Sequence, residues 1–417
     1  MNFDTAVRET VREKLRKMGR VDIVVGIPCY NEEETIAHIV SSVGKGLKRH
    51  FPEKKSLIVV SDGGSLDDTR ENAQSAPVPQ GINRIVSIYR GIAGKGTAFR
   101  AIFEIAVMMG AEACVVVDSD LESMAPDWVK LLAQPILERK AGFVAPFYKR
   151  HKYDGTITNN IAYPITRALY GIQLRQPIGG EFGLSGDLVV SLAAQDVWRT
   201  DVTRFGIDIW MSTAAIIRKE KIVQADLGKK VHQVKDPSTD LGAMFEQVVS
   251  TLFYVACKYR NRWVRSEKSQ LVEIVGKSET NIDLRPVPVS MGKLRREFTE
   301  GFEHFQGFFE RSLSSECYLD LVKIKDNTKK GEKTLFGPTL WARVLYEFIC
   351  IYSKWERNRR RLIEMLAPLY FGRVTAYCEE VAGFKDGEEE QVIQKQAQEF
   401  EKQKPYLFKL FENSSDT

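Results

Sequence analysis

The sequence predicts an α/β fold, a mostly parallel sheet between helices, followed by a mainly helical C-terminal region. Three observations carry this prediction. Over residues 21–147, short β-branched runs alternate with polar or glycine-rich loops and amphipathic helical segments. That alternation implies parallel strands with helices on both faces. The polar clusters begin where the apolar runs end, so they gather at the carboxyl edge of the sheet, where open α/β sheets take ligands. After Met244, apolar residues recur at helical spacing instead.

The predicted strands are 21–27, 56–61, 84–89, 113–118 and 142–147, and each of the first four is followed by a helix signal. Asn31 with Glu34 three residues on reads as a capping box, and Ser65 with Asp68 resembles it. Residues 148–235 give a mixed signal that contains Gly179-Gly180. Further on, Leu340, Val344, Phe348, Ile351, Tyr352 and Trp355 form one apolar stripe, wide enough to suggest a homodimer interface. Residues 365–381 offer another helix, with Arg357 to Arg361 as an exposed charged face. Residues 276–288 and 325–332 read as linkers or surface loops, and 412–417 as a fraying end. The expected division is an N-terminal helix over 1–20, a catalytic domain over 21–245 with a break near 147/148, and a helical region over 246–417.

With 417 residues, the chain can bury a large core and form more than one domain. The net charge of +5 suits anionic small-molecule substrates and falls far short of a nucleic-acid-binding footprint. Six cysteines lie scattered with no CxxC pair, against a structural zinc site or a disulfide framework and in favour of a reducing compartment. The first 20 residues lack the apolar run of a signal peptide, and no stretch reaches the ~20 apolar residues of a membrane span. The expectation is a cytoplasmic protein.

The chemistry sits in the loops. Asp118-Ser119-Asp120 follows a buried apolar run, so two carboxylates emerge at the edge of the cleft. Such a pair suits Mg²⁺ or Mn²⁺, which would neutralise a diphosphate leaving group. A solvated turn with capping acids has the same appearance. Pro28-Cys29-Tyr30-Asn31-Glu32 ends the first strand, and Asp62-Gly63-Gly64-Ser65 ends the second. Asn31, Glu32 and Asp62 can bond a base or ribose, and plain turn chemistry is the alternative for both loops. Arg90 to Gly96 ends the third strand; it lacks P-loop spacing, but Lys95 between Gly94 and Gly96 suits a point charge near a diphosphate. Four such loops on successive strands can face one ligand, which points to a nucleotide-sugar site.

These residues resemble those of GT-A glycosyltransferases: the PxYNE-type first loop, Asp-Gly-Gly-Ser, Gly94-Lys95-Gly96 and the DxD. Within that group, Gln176-Pro177-Ile178-Gly179-Gly180-Glu181, Phe205-Gly206-Ile207-Asp208 and His232 resemble the retaining synthases of glucosyl-3-phosphoglycerate, glucosylglycerate and mannosylglycerate. The helical tail is similar to that of mannosylglycerate synthases. The resemblance implies Asp120 and His232 as direct metal ligands, with Asp118 on the metal or the ribose. It implies a donor site made by Pro28, Tyr30, Asn31, Glu32, Asp62, Gly94, Lys95, Asp118, Ser119, Gly179 and Gly180. Catalytic roles fall to Lys95 on the diphosphate and to Glu181 and Asp208 on the sugar. Within the basic cluster Lys149 to Lys152, Arg150 is the preferred ligand of a glycerate carboxylate, joined by Thr156 and Asn159.

The implied activity is transfer of a hexose from UDP-glucose, with GDP-mannose second, to D-glycerate or 3-phosphoglycerate. Asp208 also lies about where inverting relatives carry a general base, but no QxxRW segment accompanies it. An inverting transferase for a polysaccharide or lipid-linked acceptor, and a non-catalytic sugar-nucleotide binder, are the alternatives.

Overall fold

The computed structural model describes residues 4–232, 242–264, 268–278 and 282–412. In chain order the elements are α1 (Glu9–Met18), β1 (Ile23–Cys29), α2 (Ile36–His50), β2 (Ser56–Asp62), α3 (Thr69–Ser75), β3 (Asn83–Ile88), α4 (Lys95–Met109), β4 (Ala113–Val116), α5 (Pro126–Leu137), β5 (Phe143–Lys149), α6 (Tyr163–Tyr170), β6 (Ile172–Gln173), β7 (Phe182–Ser185), α7 (Gly186–Ala193), α8 (Ile207–Ile217) and β8 (Ile222–Lys229). Then come α9 (Gly242–Lys258), α10 (Arg260–Trp263), β9 (Gln270–Leu271), β10 (Ile274–Val275), α11 (Met291–Ser312), α12 (Ser315–Lys329), α13 (Pro338–Lys354), α14 (Arg359–Glu380) and α15 (Glu390–Glu412). All five predicted strands are present, within two residues at each end.

The chain forms two compact units built from interleaved segments: residues 1–149, 175–233 and 272–284 in the first, and 150–174, 234–271 and 285–417 in the second. The linear boundary expected at 245/246 is thus replaced by two excursions into the helical unit. The first unit holds the α/β sheet, in the order β10-β8-β5-β7-β4-β1-β2-β3. Its pairs are parallel except those of β7, which runs antiparallel to β4 and β5.

The register explains why the loops converge. Cys29 pairs with Asp62 and Asp62 with Ile88, so β1, β2 and β3 end level. β4 stops opposite Gly26, which leaves the β4-facing side of Pro28 without a ladder partner, where a residue with no N–H is tolerated. Because β7 is antiparallel, its amino end, Phe182, lies opposite Val116 at the carboxyl end of β4. Gly179-Gly180-Glu181 therefore arrives at the same edge. β8 ends beside β5, with Lys229 opposite Lys149, and brings the 230–232 segment there too. β1, β2 and β4 are buried along their whole length, as a sheet covered on both faces requires.

Neither expected capping box forms. α2 begins at Ile36 with Thr35 at its N-cap, and the Thr35 hydroxyl donates to the Ser119 carbonyl at 2.6 Å instead of capping the helix. Asn31 adopts a left-handed φ of 54° and accepts the Leu66 N–H at 3.0 Å. Ser65 bonds Asp62, and α3 begins at Thr69 without a side-chain cap. The capping residue types were present, but their side chains lace one loop to the next.

The second unit is helical. Val344 and Phe348 on α13 are buried, and Phe308, Tyr352 and Phe253 pack ring against ring around them. Val344, Phe348 and Tyr352 of the expected stripe are thus covered within their own unit, while Leu340, Ile351 and Trp355 are part-buried. Residues 325–329, expected in a loop, form the last turns of α12, where Ile324 and Thr328 are buried and Ser314 caps the start. Lysines late in that helix complement its carbonyl end, so a charge run that reads as a loop is compatible with helix. Residues 158–162 form one π-helical turn whose loosened carbonyls are taken up: Gln396 donates to Asn159 O at 2.8 Å, and Trp341 to Asn160 O at 2.7 Å. The six cysteines are free thiols.

Candidate active site

Loops one and two are bound into one platform. The Asn31 N–H donates to Ser65 Oγ at 2.9 Å, Glu32 N–H to Thr69 Oγ1 at 2.7 Å, and Asp68 N–H to the Glu33 carboxylate at 3.0 Å. Asp62 is fully buried, and its carboxylate takes the Gly64 and Ser65 N–H groups and the Ser65 hydroxyl. Those bonds hold the turn that presents the loop. Tyr30 is exposed, with its ring lying against Gly63.

The third loop closes on α8. Gly94, at φ 156°, and Gly96 lie against the backbone of Val202 to Arg204, where added Cβ atoms would collide with carbonyl oxygens. That close approach delivers Lys95, in the first turn of α4, to Asp208 in the first turn of α8. The Lys95 ammonium lies 2.8 Å from Asp118 Oδ1 and 3.1 Å from Asp208 Oδ2. Burial alone would depress its pKa, but the two carboxylates outweigh burial and raise it above the ordinary lysine value. Lys95 is therefore a fixed cation.

A second lysine mirrors it. The Lys230 ammonium donates to Gly179 O at 2.8 Å and to both Glu181 oxygens at 2.9 and 3.1 Å, and it lies 3.6 Å from Asp118 Oδ2. Asp118 thus joins two ion pairs through its two oxygens. Gly180, at φ 99°, passes so close to Asp118 that any Cβ there would strike the carboxylate. Three carboxylates and two ammoniums form one array, Asp208, Lys95, Asp118, Lys230 and Glu181, buried except for the part-exposed Lys95 and Asp118.

Burial raises the Asp208 carboxyl pKa, Lys95 opposes this and Asp118 adds to it. Glu181 is likewise raised by burial against the pull of Lys230. Asp208 Oδ1 is buried without a hydrogen-bond partner among the described residues, while Oδ2 faces Lys95. A buried acceptor of that kind has room to take a donor such as a ligand hydroxyl.

Asp120 and His232, the residues expected to hold a metal, follow Asp118 and Lys230 by two positions each. His232 pairs with Leu121 in an isolated antiparallel bridge, and Glu122 N–H donates to Val231 O at 2.9 Å. The β8 extension is thereby sewn to the residues that follow Asp120. Ser119 is buried with its carbonyl on Thr35. Among the described residues, no three His, Cys, Asp or Glu side chains gather into a cluster able to hold a metal by themselves. A divalent ion here would need ligand oxygens to complete its shell.

The residues expected on the acceptor side belong to the second unit. Arg150 pairs with Asp154 at 3.1 Å, the Thr156 hydroxyl shares a 2.7 Å hydrogen bond with Tyr370, and Asn159 Nδ2 donates to Asp154 O at 3.2 Å. Lys230 was not anticipated. It stands in Lys229-Lys230-Val231-His232, which reads as a surface charge run, and only the β8 register shows its side chain to be buried.

Residues 24–186 match the family model described as glycosyl transferase family 2, less than half of the chain. The matched segment runs from β1 to the end of β7 and contains the DxD, the Gly-Lys-Gly loop and Glu181. The α/β unit is a GT-A glycosyltransferase fold. No curated protein matches the chain. Among solved structures, glucosyl-3-phosphoglycerate synthase from Mycobacterium tuberculosis, in complex with Mn²⁺, UDP and phosphoglyceric acid, is 28% identical over 57% of this chain and 79% of that chain, with a TM-score of 0.46. The same enzyme with Mg²⁺ and UDP is 25% identical over 67% and 92% of the two chains, with a TM-score of 0.45. With Mn²⁺, UDP and glucosyl-3-phosphoglycerate the figures are 25%, 70%, 95% and 0.45. At these TM-scores the likeness does not by itself assign a substrate. No helix among the described residues is long and apolar enough to cross a membrane.

Proposed function

We propose that this chain transfers a hexose from a nucleotide-diphosphate sugar, UDP-glucose first and GDP-mannose second, to D-glycerate or 3-phosphoglycerate with retention of configuration. The observation that carries the proposal is the array of Lys95, Asp118, Asp208, Glu181 and Lys230, with one unpartnered carboxylate oxygen on Asp208. Sugar hydroxyls suit such buried carboxylates, and Lys95 suits the developing charge of the departing diphosphate. The synthase complexes, with UDP, Mn²⁺ or Mg²⁺ and phosphoglyceric acid, hold the same classes of ligand.

Asp120 and His232 would hold the divalent ion, with Asp118 beside it already countered by two ammoniums. The ion, when bound, supplies Lewis-acid stabilisation of the diphosphate. The chain's own part is positioning: Glu181 and Asp208 orient the sugar, and the Gly179-Gly180 backbone lets it approach. Each carboxylate is held by a lysine ammonium, and front-face attack by the acceptor oxygen asks neither of them to act as the base. On the acceptor side the proposal assigns Arg150, Thr156 and Asn159. A cytoplasmic location accompanies these substrates.

One observation favours an inverting reaction: the raised pKa and free oxygen of Asp208 are what a general base would have. Nucleotide release is to be measured with UDP-glucose or GDP-mannose against each acceptor, with Mg²⁺ or Mn²⁺ and an Asp120→Ala control. Release that needs metal, acceptor and Asp120 supports the assignment, and the anomeric configuration of the product separates retention from inversion. No release from any pairing removes the glycerate assignment.

A further inference from the structure

We propose that Lys230 is a positioning residue for the transfer: it grips both oxygens of the buried Glu181 carboxylate and aims it, and acts on the donor sugar only through that carboxylate. The proposal rests on the transferase function above. Glu181 is fully buried, and an unpaired carboxylate in such a place is strongly disfavoured. Lys230 meets both of its oxygens within 3.1 Å.

The ammonium has three donors. One reaches Gly179 O and another the Glu181 carboxylate, while Asp118 lies on the remaining side at 3.6 Å. Its side chain is 5% exposed, against 15% for Lys95. It also sits 5.2 Å from the centre of the Tyr148 ring, whose hydroxyl donates to the same Gly179 carbonyl at 2.5 Å. Lys230 is therefore spent on protein acceptors, whereas Lys95 remains the cation with access to a phosphate. The two lysines look alike in the array but do different work.

The link also couples distant parts of the chain. Lys230 N–H donates to Lys149 O at 2.9 Å and Val231 N–H to Ser123 Oγ at 3.0 Å, so the backbone that carries Lys230 is fixed from both sides. Through its side chain, the end of β8 sets the position of the residue that precedes β7.

The test is a double-mutant cycle of Lys230→Met and Glu181→Gln. It is read as kcat and donor KM with whichever nucleotide sugar the wild type turns over, and as nucleoside-diphosphate affinity by calorimetry. Lys230→Met should lower kcat by about 10²-fold, the scale of a misplaced sugar ligand, with nucleoside-diphosphate affinity changed by less than about 3-fold. Lys230→Arg should recover part of that loss. In the Glu181→Gln background, Lys230→Met should cost less than about 3-fold, because the carboxylate it serves is gone.

The double variant leaves no unpaired buried charge, so it remains informative even where Lys230→Met fails to fold. The double variant then has to match Glu181→Gln within about 3-fold. A full, additive loss in that background overturns the proposal. So does a loss of nucleoside-diphosphate affinity as large as the loss in kcat, which would make Lys230 a diphosphate ligand. A wild type that turns over no nucleotide sugar takes the transferase assignment down with it, a different outcome from an active wild type with an additive cycle.

Discussion

Replacing Lys95 by methionine removes the cation that Asp118 and Asp208 share while keeping most of its volume. The ammonium lies 2.8 and 3.1 Å from the two carboxylates, whose side chains are 21% and 7% exposed. At an effective dielectric near 20, each contact is worth about 5–6 kcal/mol before desolvation. Most of that is offset by the cost of burying the lysine, and breaking a buried pair typically costs ~3–5 kcal/mol net. Partial exposure of Asp118 and the remaining pull of Lys230 place the expected loss of stability near the lower end, about 3 kcal/mol.

That deficit should depend on pH. Asp208 already has a raised carboxyl pKa, and without Lys95 it moves higher. Its folded form then binds a proton more tightly than its unfolded form, so stability falls as pH rises through the window above the unfolded value of about 3.9. Denaturant midpoints should show a smaller deficit at pH 5 than at pH 8. For the reaction, loss of one preorganised charge at the leaving group predicts a fall in kcat/KM of about 10²–10³. Nucleotide release by Lys95→Met and Lys95→Arg, each confirmed folded by its thermal transition, measures this. A folded Lys95→Met enzyme within about 5-fold of wild type would refute the role given to the array.

Two further outcomes are expected. Gly180→Ala combines a left-handed φ of 99° with a collision against Asp118, whereas Gly64→Ala, at φ 90°, meets no neighbour within 4 Å. Both should lose ~1–3 kcal/mol to backbone strain, but only Gly180→Ala should also lose at least about 10-fold in kcat/KM; equal activity in the two variants would contradict the geometry. In the second unit, burial lowers the Lys404 pKa from 10.5 to about 8, with Glu401 opposing and the ammonium on Leu169 O at 3.2 Å. Unfolding restores the ordinary value, so the unfolded chain binds more protons between pH 8 and 10.5 and stability should rise across that window. Denaturation of Lys404→Met at pH 7 and pH 9.5 should lack this rise, and an identical pH dependence in both proteins would rule it out.

Much of the site was legible because loop chemistry follows strand ends. The β-branched runs that became β1, β2 and β4 are continuous and buried throughout, and the carboxylates and glycines after them could go only to the carboxyl edge of a parallel sheet. Lys95 and Asp118 were visible for that reason. Asn31, Ser65 and Thr35 were legible only as residue types. Capping and loop-to-loop bonding use the same short polar side chains, and which one forms depends on whether a neighbouring loop offers a nearer partner. The lysines late in α12 were ambiguous in the same way, since a charge run suits a loop as well as a helix end.

By itself the sequence determined the alternation of strands and helices, the loops that carry charge and the helical character of the C-terminal region. These depend on local periodicity and on residue types that keep their preferences wherever the chain goes. Only the tertiary structure decided that β7 runs antiparallel, which turns Gly180 and Glu181 toward Asp118, and that β8 extends far enough to bury Lys230 between them. A strand's direction and neighbours are set by pairing with segments tens of residues away, so an ion pair that joins residues 118, 181 and 230 leaves no local trace in the sequence.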